Sequence, residues 1–441
     1  MSKPIKRSAR AAVQVITMVV SLLALLSSDR LHAQHDQLEE RCLRTRTAYD
    51  LGSGTTKVQV AKVDVCRGVI VESLYRKAVS VSYQQDLGVD GKRFSPEILA
   101  QGMQTLQMLG EKAKASKGAA DGAAVATAAY RQATDNAQQQ LNRLAAELNI
   151  HGVVITQRQE AINGFLGVAA RTGIPKDQLV VWDIGGGSMQ ITLQDRSGAY
   201  HIYQGPFGAV NFRDYVIKEI KGKPLKTPNP MTKAQLNHAV SLSEGVIGKL
   251  PKAFLAALID KQQSQWVGIG GVHNFSVSKS VGGIANYTLT GLRSSLLALA
   301  DRDDAALGGG KFVSTKVTDI ALVLGYFKRF ALPALKIIRV DNTDAVLTMD
   351  KHWLVVNNDA ASITMAEKMQ LDLLANDRSQ DGKPLTVSAL SSAQHGHAKL
   401  EGGVLHYRPS PTFFGNEVLT YTATDGILEQ QGAVSITVTR P

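Results

Sequence analysis

Two short glycine turns, each led by an aspartate at the end of an apolar run, restrict this chain more than any other feature. The first is Asp50-Leu51-Gly52-Ser53-Gly54-Thr55-Thr56 and the second is Asp183-Ile184-Gly185-Gly186-Gly187-Ser188. Each lies between β-like stretches: Thr47–Tyr49 and Lys57–Val65 around the first, Leu179–Trp182 and Met189–Leu193 around the second. Glycine lets a backbone approach a phosphate closely and aim consecutive N–H groups at it. Ser53, Thr55 and Ser188 add hydroxyl donors, and an aspartate at a strand end can hold Mg²⁺ directly or through water. One such loop is usually an ordinary tight turn. Two, led in the same way, favour a clamp that grips a phosphate chain from both sides. No Gly-Lys-Ser/Thr follows, so neither is a Walker A loop, and a strand follows each, so neither is a dinucleotide fingerprint.

The surrounding pattern is α/β. Lys57–Val65 alternates polar and apolar residues with period two and predicts a half-buried antiparallel strand. Pro96–Lys114 has apolar residues at helical spacing behind a Ser95 N-cap. Buried strands at Ala123–Thr127 and Gly152–Thr156 alternate with helices at Gln138–Leu148 and Gln159–Ala170. A second lobe follows, with a strand-to-glycine turn at Trp266–Gly271 and a helix near Val317–Phe330. From about Val355 the helical spacing stops, and short β segments separated by turns run to the end, predicting a β-sandwich. The expected domains are therefore 45–174 and 175–350 for two lobes, a linker near Lys351–Asn358, and 359–441 for the sandwich.

The N-terminus reads as a secretory signal over 1–33. Lys3, Lys6, Arg7 and Arg10 precede an uncharged apolar run, Val13–Leu26, too short to span a bilayer comfortably. An uncleaved anchor is the alternative. Export to the periplasm or the cell exterior is thus expected, and there the two cysteines, Cys42 and Cys66, would be free to pair. They stand equidistant from Gly54, so a hairpin turning there would bring them opposite each other. The formal net charge is +11. Five basic and one acidic side chain in 1–33 leave +7 on the remainder, an excess that suits a polyanionic substrate as well as a plain solvated surface.

Several segments carry a resemblance. The two loops resemble the phosphate loops of the actin-like ATPase superfamily, a two-lobed ribonuclease H-like α/β fold. Ala126-Thr127-Ala128-Ala129-Tyr130-Arg131-Gln132-Ala133, Gln159-Glu160-Ala161, Gly205-Pro206-Phe207-Gly208-Ala209-Val210 and Gly268-Ile269-Gly270-Gly271 are similar, in order, to elements of the exopolyphosphatase/guanosine-pentaphosphatase (Ppx/GppA) family. The resemblance implies a Mg²⁺-dependent hydrolase of phosphoanhydrides acting on polyphosphate or nucleotide polyphosphates. It implies that Glu160 activates the attacking water, that Arg131 neutralises phosphate charge, and that Asp183 and Asp50 position Mg²⁺ or water. Ser53, Gly54, Thr55, Gly185, Gly186, Gly187, Ser188 and Gln190 would bind phosphate. Two positions depart from the family. Gln190 stands where it usually has Glu, as in apyrases, and Gly54 where it usually has Asn. The C-terminal segments Leu374–Asp377, Asp381–Val387 and Leu419–Gly426 resemble the cadherin-like tandem-repeat domain of bacterial surface proteins. That implies a spacer or an adhesive contact with a cell surface or a protein. Arg378 and Lys383 interrupt its acidic cluster, so no Ca²⁺ site is expected.

Three readings follow. The first is an exported exopolyphosphatase-like hydrolase, the second an apyrase-like nucleoside polyphosphate hydrolase, and the third a non-catalytic polyphosphate- or nucleotide-binding surface protein. No nucleic acid is expected as a partner. A homodimer is compatible with all three.

Overall fold

The computed structural model describes residues 40–441 apart from 88–90, 120, 121, 249, 260–263, 284 and 311. The expected signal segment, 1–33, lies outside the described residues.

The first lobe is built on a five-stranded sheet of order β3-β2-β1-β4-β5, formed by Leu43–Leu51, Thr55–Asp64, Val69–Ser80, Gly122–Ala126 and Ile150–Val154 as β1 to β5. The first three strands form an antiparallel meander, and β4 and β5 run parallel to β1. The second lobe repeats this plan with β6 (Leu179–Ile184), β7 (Met189–Gln194), β8 (Tyr200–Gly205), β9 (Gln265–Ile269), β10 (Asn286–Thr288) and β11 (Ala334–Ile337). Its order is β10-β11-β9-β6-β7-β8, so β8-β7-β6-β9-β11 mirrors β3-β2-β1-β4-β5. The two glycine loops are the β1–β2 and β6–β7 turns and occupy equivalent places. No sequence repeat signals the duplication, because what repeats is strand order and burial rather than residue identity.

Helices cover both faces of the first sheet. Tyr49, Leu51, Val58 and Val60 pack against the helices Pro96–Ala115 and Ala137–Leu148, while Ala48, Ala61 and Val63 pack on the opposite side. The strand expected to be half-buried is therefore buried on both faces. Even Gln59 is fully enclosed, because the sheet is a central layer and not an outer wall. The helix Pro96–Ala115 starts as expected, with Ser95 Oγ accepting from the Ile98 N–H at 3.2 Å and Pro96 at the first position.

Two helices cross between the lobes. Gln157–Thr172, closed by a Thr156/Gln159 capping box, sends Phe165 and Val168 into a core shared with Leu179, Val181 and Ile269 of the second lobe. Asn342–Thr348 returns to the first lobe, where Val346 and Leu347 pack with Ala48, Val63 and Val125. Divisions at 174 and 350 thus describe the order of the chain, while the packing interleaves the lobes.

The C-terminal unit is a sandwich of two sheets, Asp359–Thr364, Glu429–Thr439, Gly415–Thr424 and Thr386–Leu390 against Met369–Asp372, Val404–Pro409 and Gly396–Glu401. It has its own core around Leu405, Tyr407, Leu419, Tyr421 and Val434. The stretch expected to be a linker is not free. Trp353 and Leu354 are buried, and Leu354–Val355 pairs with Arg378–Ser379 of the sandwich.

Candidate active site

The strand register places the key side chains. Asp50 ends β1 directly opposite Lys57 of β2, and Asp183 ends β6 directly opposite Gln190 of β7. Directly opposite residues share a face of the sheet, so each loop presents an aspartate with a neighbour: a cation in the first lobe, an amide in the second. Lys57 Nζ lies 2.8 Å from Asp50 Oδ2 and 3.8 Å from Asp341 Oδ2. Burial works against the ammonium, but Asp50 and Asp341 outweigh it and hold Lys57 above the ordinary lysine value. Burial pushes Asp50 up despite the pull of Lys57.

Glu160 sits in the first turn of the inter-lobe helix, where the helix dipole favours its charge. The Arg131 guanidinium reaches it with Nη1 and Nη2 both 3.1 Å from Oε2, and Nη1 also donates to the Ile155 carbonyl at 2.8 Å. Arg131 is thus paired with Glu160, joining the two residues that the resemblance assigns to charge neutralisation and to water activation. Burial raises the Glu160 carboxyl; Arg131 opposes this and Asp50 adds to it. Asp183 is pushed up to about 6, first by burial and then by Glu160. Asp50, Lys57, Glu160 and Asp183 thus act on one another electrostatically, a mixed set of acids and a base beside the two loops.

The tips of both loops are open to solvent. Gly54, Gly186, Gly187 and Ser188 are exposed, and a side chain at Gly54 or Gly187 would meet nothing. None of these three glycines takes a left-handed backbone, so glycine there leaves open space and does not relieve strain. Two other glycines are fixed by packing. A Cβ at Gly208 would stand 2.5 Å from Ser188 N and 2.7 Å from Gly187 C. The turn around it props the second loop through Ala209 N–H to Gly185 O (3.0 Å) and Val210 N–H to Gly186 O (2.7 Å). Gly270, at φ +87°, lies under Asp183, and a Cβ there would stand 2.1 Å from its Oδ1. The first loop is propped likewise, as Ala129 N–H donates to Ser53 Oγ at 3.2 Å. Thr55 closes that loop by accepting from Gly52 N–H at 2.9 Å.

The donor set can be tested against Mg²⁺. Asp50 Oδ1 and Gln190 Oε1 are buried without a hydrogen-bond partner among the described residues, and Asp183 stands opposite Gln190. These are hard oxygen donors, of the kind Mg²⁺ takes together with water and substrate phosphate. No three carboxylates converge closely in the cleft among the described residues. The one close group of three potential ligand side chains among the described residues, Cys42, Asp64 and Cys66, includes two cysteines joined in a disulfide. The site therefore fits an ion held by one or two protein oxygens, not a closed protein cage.

Sequence reasoning missed Lys57, Asp341 and the propping role of Gly208. Lys57 was within reach, for it follows Asp50 at the spacing by which Gln190 follows Asp183.

A two-lobed α/β fold with duplicated sheets and paired glycine loops facing a cleft is the actin-like ATPase architecture. Within it, residues 60–258 match the Ppx/GppA phosphatase family, and residues 352–439 match the bacterial Ig domain. Residues 60–258 are thus similar to the Ppx/GppA phosphatases, a family of phosphoanhydride hydrolases, and residues 352–439 to bacterial Ig domains. Among solved structures, a Ppx/GppA family member from Aquifex aeolicus is similar at 18% identity, TM-score 0.54, over 69% of this chain and 97% of that one. A second structure of a Ppx/GppA enzyme from Aquifex aeolicus gives TM-score 0.55 at 18% identity, over 69% and 99%. These likenesses establish the fold. No curated protein matches the chain.

Proposed function

We propose that this protein is an exported, Mg²⁺-dependent hydrolase that releases terminal phosphate from polyphosphate or guanosine pentaphosphate. The observation that carries the reading is the cluster of Glu160, Asp183 and Asp50 between two open glycine loops. Glu160, oriented by Arg131 and raised above the ordinary carboxylate range, accepts a proton at Oε1 from a water attacking in line with the leaving phosphate. The loop N–H groups, Ser53, Ser188 and Lys57 bind the phosphate oxygens and hold the chain in the cleft. Mg²⁺ held by Asp50 and Asp183 would neutralise developing negative charge. The Cys42–Cys66 disulfide supports export, since structural disulfides persist in oxidising compartments.

Gln190, neutral and with its carbonyl oxygen unpartnered among the described residues, favours a second reading, an apyrase-like hydrolase of nucleoside polyphosphates. Phosphate release from polyphosphate, guanosine pentaphosphate and ATP, with Mg²⁺ and with EDTA, separates the two. In the same assay Glu160→Gln should lower kcat by about 10²–10⁴-fold, as expected for loss of a general base, with KM little changed. Retention of more than about a tenth of the rate removes Glu160 from that role. No release from any substrate by wild type leaves a binding protein.

A further inference from the structure

The contact between the Ig domain and the phosphatase module is built like a core, not like a tether. Arg46, at the outer end of β1, is fully buried. Its Nε lies 3.0 Å from Asp381 Oδ1 and its Nη2 2.6 Å from Asp381 Oδ2, while Nη1 donates to the Leu347 carbonyl at 2.8 Å. Asp381 belongs to the Ig domain and its side chain is only 3% exposed. The guanidinium stacks 4.5 Å above the Trp353 ring, and Trp353 Nε1 donates to the Val346 carbonyl at 2.6 Å. Leu428 of the Ig domain shares one apolar cluster with Ala48, Val63, Val346 and Leu347.

The helix gripped at this seam, Asn342–Thr348, leads straight back to the cleft. Its N-cap Asp341 holds Arg76 at 3.0 Å and Lys57 at 3.8 Å. Its buried Asp344 binds Arg76 at 2.8 Å and Arg171, from the far end of the Glu160 helix, at 2.5 Å. One short helix thus carries the Ig seam on its C-terminal residues and the cations of the cleft on its N-terminal ones.

We propose that the Ig domain is a fixed part of the catalytic lobe, and that Arg46 and Asp381 are positioning residues for the cleft. They clamp Asn342–Thr348 so that Asp341 and Asp344 keep Lys57 and the Glu160 helix in place. The inference rests on the reading of Glu160 and Lys57 as working groups. A spacer would instead be joined by an exposed, cleavable linker and would leave turnover indifferent to its removal.

The test is the full chain carrying Arg46→Met with Asp381→Leu. Replacing a buried ion pair by apolar side chains of similar volume commonly preserves stability, so the fold should persist while the grip on the Leu347 carbonyl is lost. The expected result is kcat lowered at least about tenfold, as displacement of a reacting group by about an ångström can cost more than that, with Tm within a few degrees of wild type. Unchanged kcat overturns the proposal. If the double variant fails to fold, Asp381→Asn and Asp381→Glu replace it below their own Tm. Partial rescue of kcat by Glu over Asn supports positioning, and equal wild-type kcat in both overturns it. Binding of tripolyphosphate by calorimetry runs beside the rate measurement. A wild type that binds but releases nothing counts against the hydrolase reading, and the seam is then judged on whether the variant weakens that binding at least about tenfold or leaves it unchanged.

Discussion

Asp183→Asn should make the protein more stable and less active, with the gain in stability dependent on pH. The Asp183 carboxyl is raised from 3.8 to about 6, by burial and then by Glu160. Each pKa unit is worth about 1.4 kcal/mol, so the ionised form costs the fold at most about 3 kcal/mol. Asp183 keeps part of its surface in water, and screening cuts the figure to about 1.5–3 kcal/mol. The sign follows from proton uptake. Between pH 3.8 and 6 the native state binds a proton that the unfolded chain has released. The penalty is therefore absent below the lower value and complete above the higher. Asparagine has the same shape, fits over Gly270 and carries no charge. Calorimetry should show Tm of the variant equal to wild type near pH 4 and higher by roughly 3–10 °C at pH 8. Phosphate release should fall at least about tenfold, as strained functional groups trade stability for activity. A Tm difference that is negative, or the same at both pH values, would refute the electrostatic reasoning.

Three further outcomes follow from packing and covalent structure. Gly208→Ala should raise KM at least about tenfold while Gly245→Ala, in the helix Lys233–Val246, leaves it nearly unchanged. A Cβ at 208 strikes the backbone of the second loop, whereas at 245 it meets nothing within 4 Å. Equal KM values in steady-state kinetics would discount the propping role. Replacing Cys42 and Cys66 by serine removes a bridge across a sequence separation of 24 and should cost about 3.5 kcal/mol in denaturant unfolding. A change under about 1 kcal/mol would mean the hairpin is already held by its strands. Acidification should reduce kcat/KM through a limb above the ordinary glutamate range, because burial raises Glu160; a limb at or below that range in a pH–rate profile would place the base elsewhere.

Much of this site was legible in the sequence because its chemistry is local. The two Asp-led glycine turns, Glu160 in the first turn of a helix, and the Gly208 and Gly270 turns all lie where short-range pattern put them, and the β-sandwich declared itself through turn spacing. The disulfide was visible through the mirror spacing of Cys42 and Cys66, although the hairpin pairs Leu43 with Asp64 and so turns half a residue earlier than Gly54.

Other features appeared only in three dimensions. Strand β2 looked half-exposed because alternation records side-chain chemistry, while the helices that bury its second face come from distant sequence. How the Lys351–Asn358 linker packs was hidden for the same reason, since Trp353 and Leu354 share a cluster with the distant Leu428 and Ala48.

The sequence by itself determined the two aspartate-led glycine turns, the capped helices and the modular order, because hydrogen bonding and backbone preference act over a few residues. Tertiary structure alone decided which charges meet: Arg131 with Glu160, Lys57 with Asp341, Arg171 with Asp344, and Arg46 with Asp381. Such pairs have no period and no spacing. They form because a buried charge must find its complement, and which complement is near is fixed only when the lobes and the Ig domain pack together.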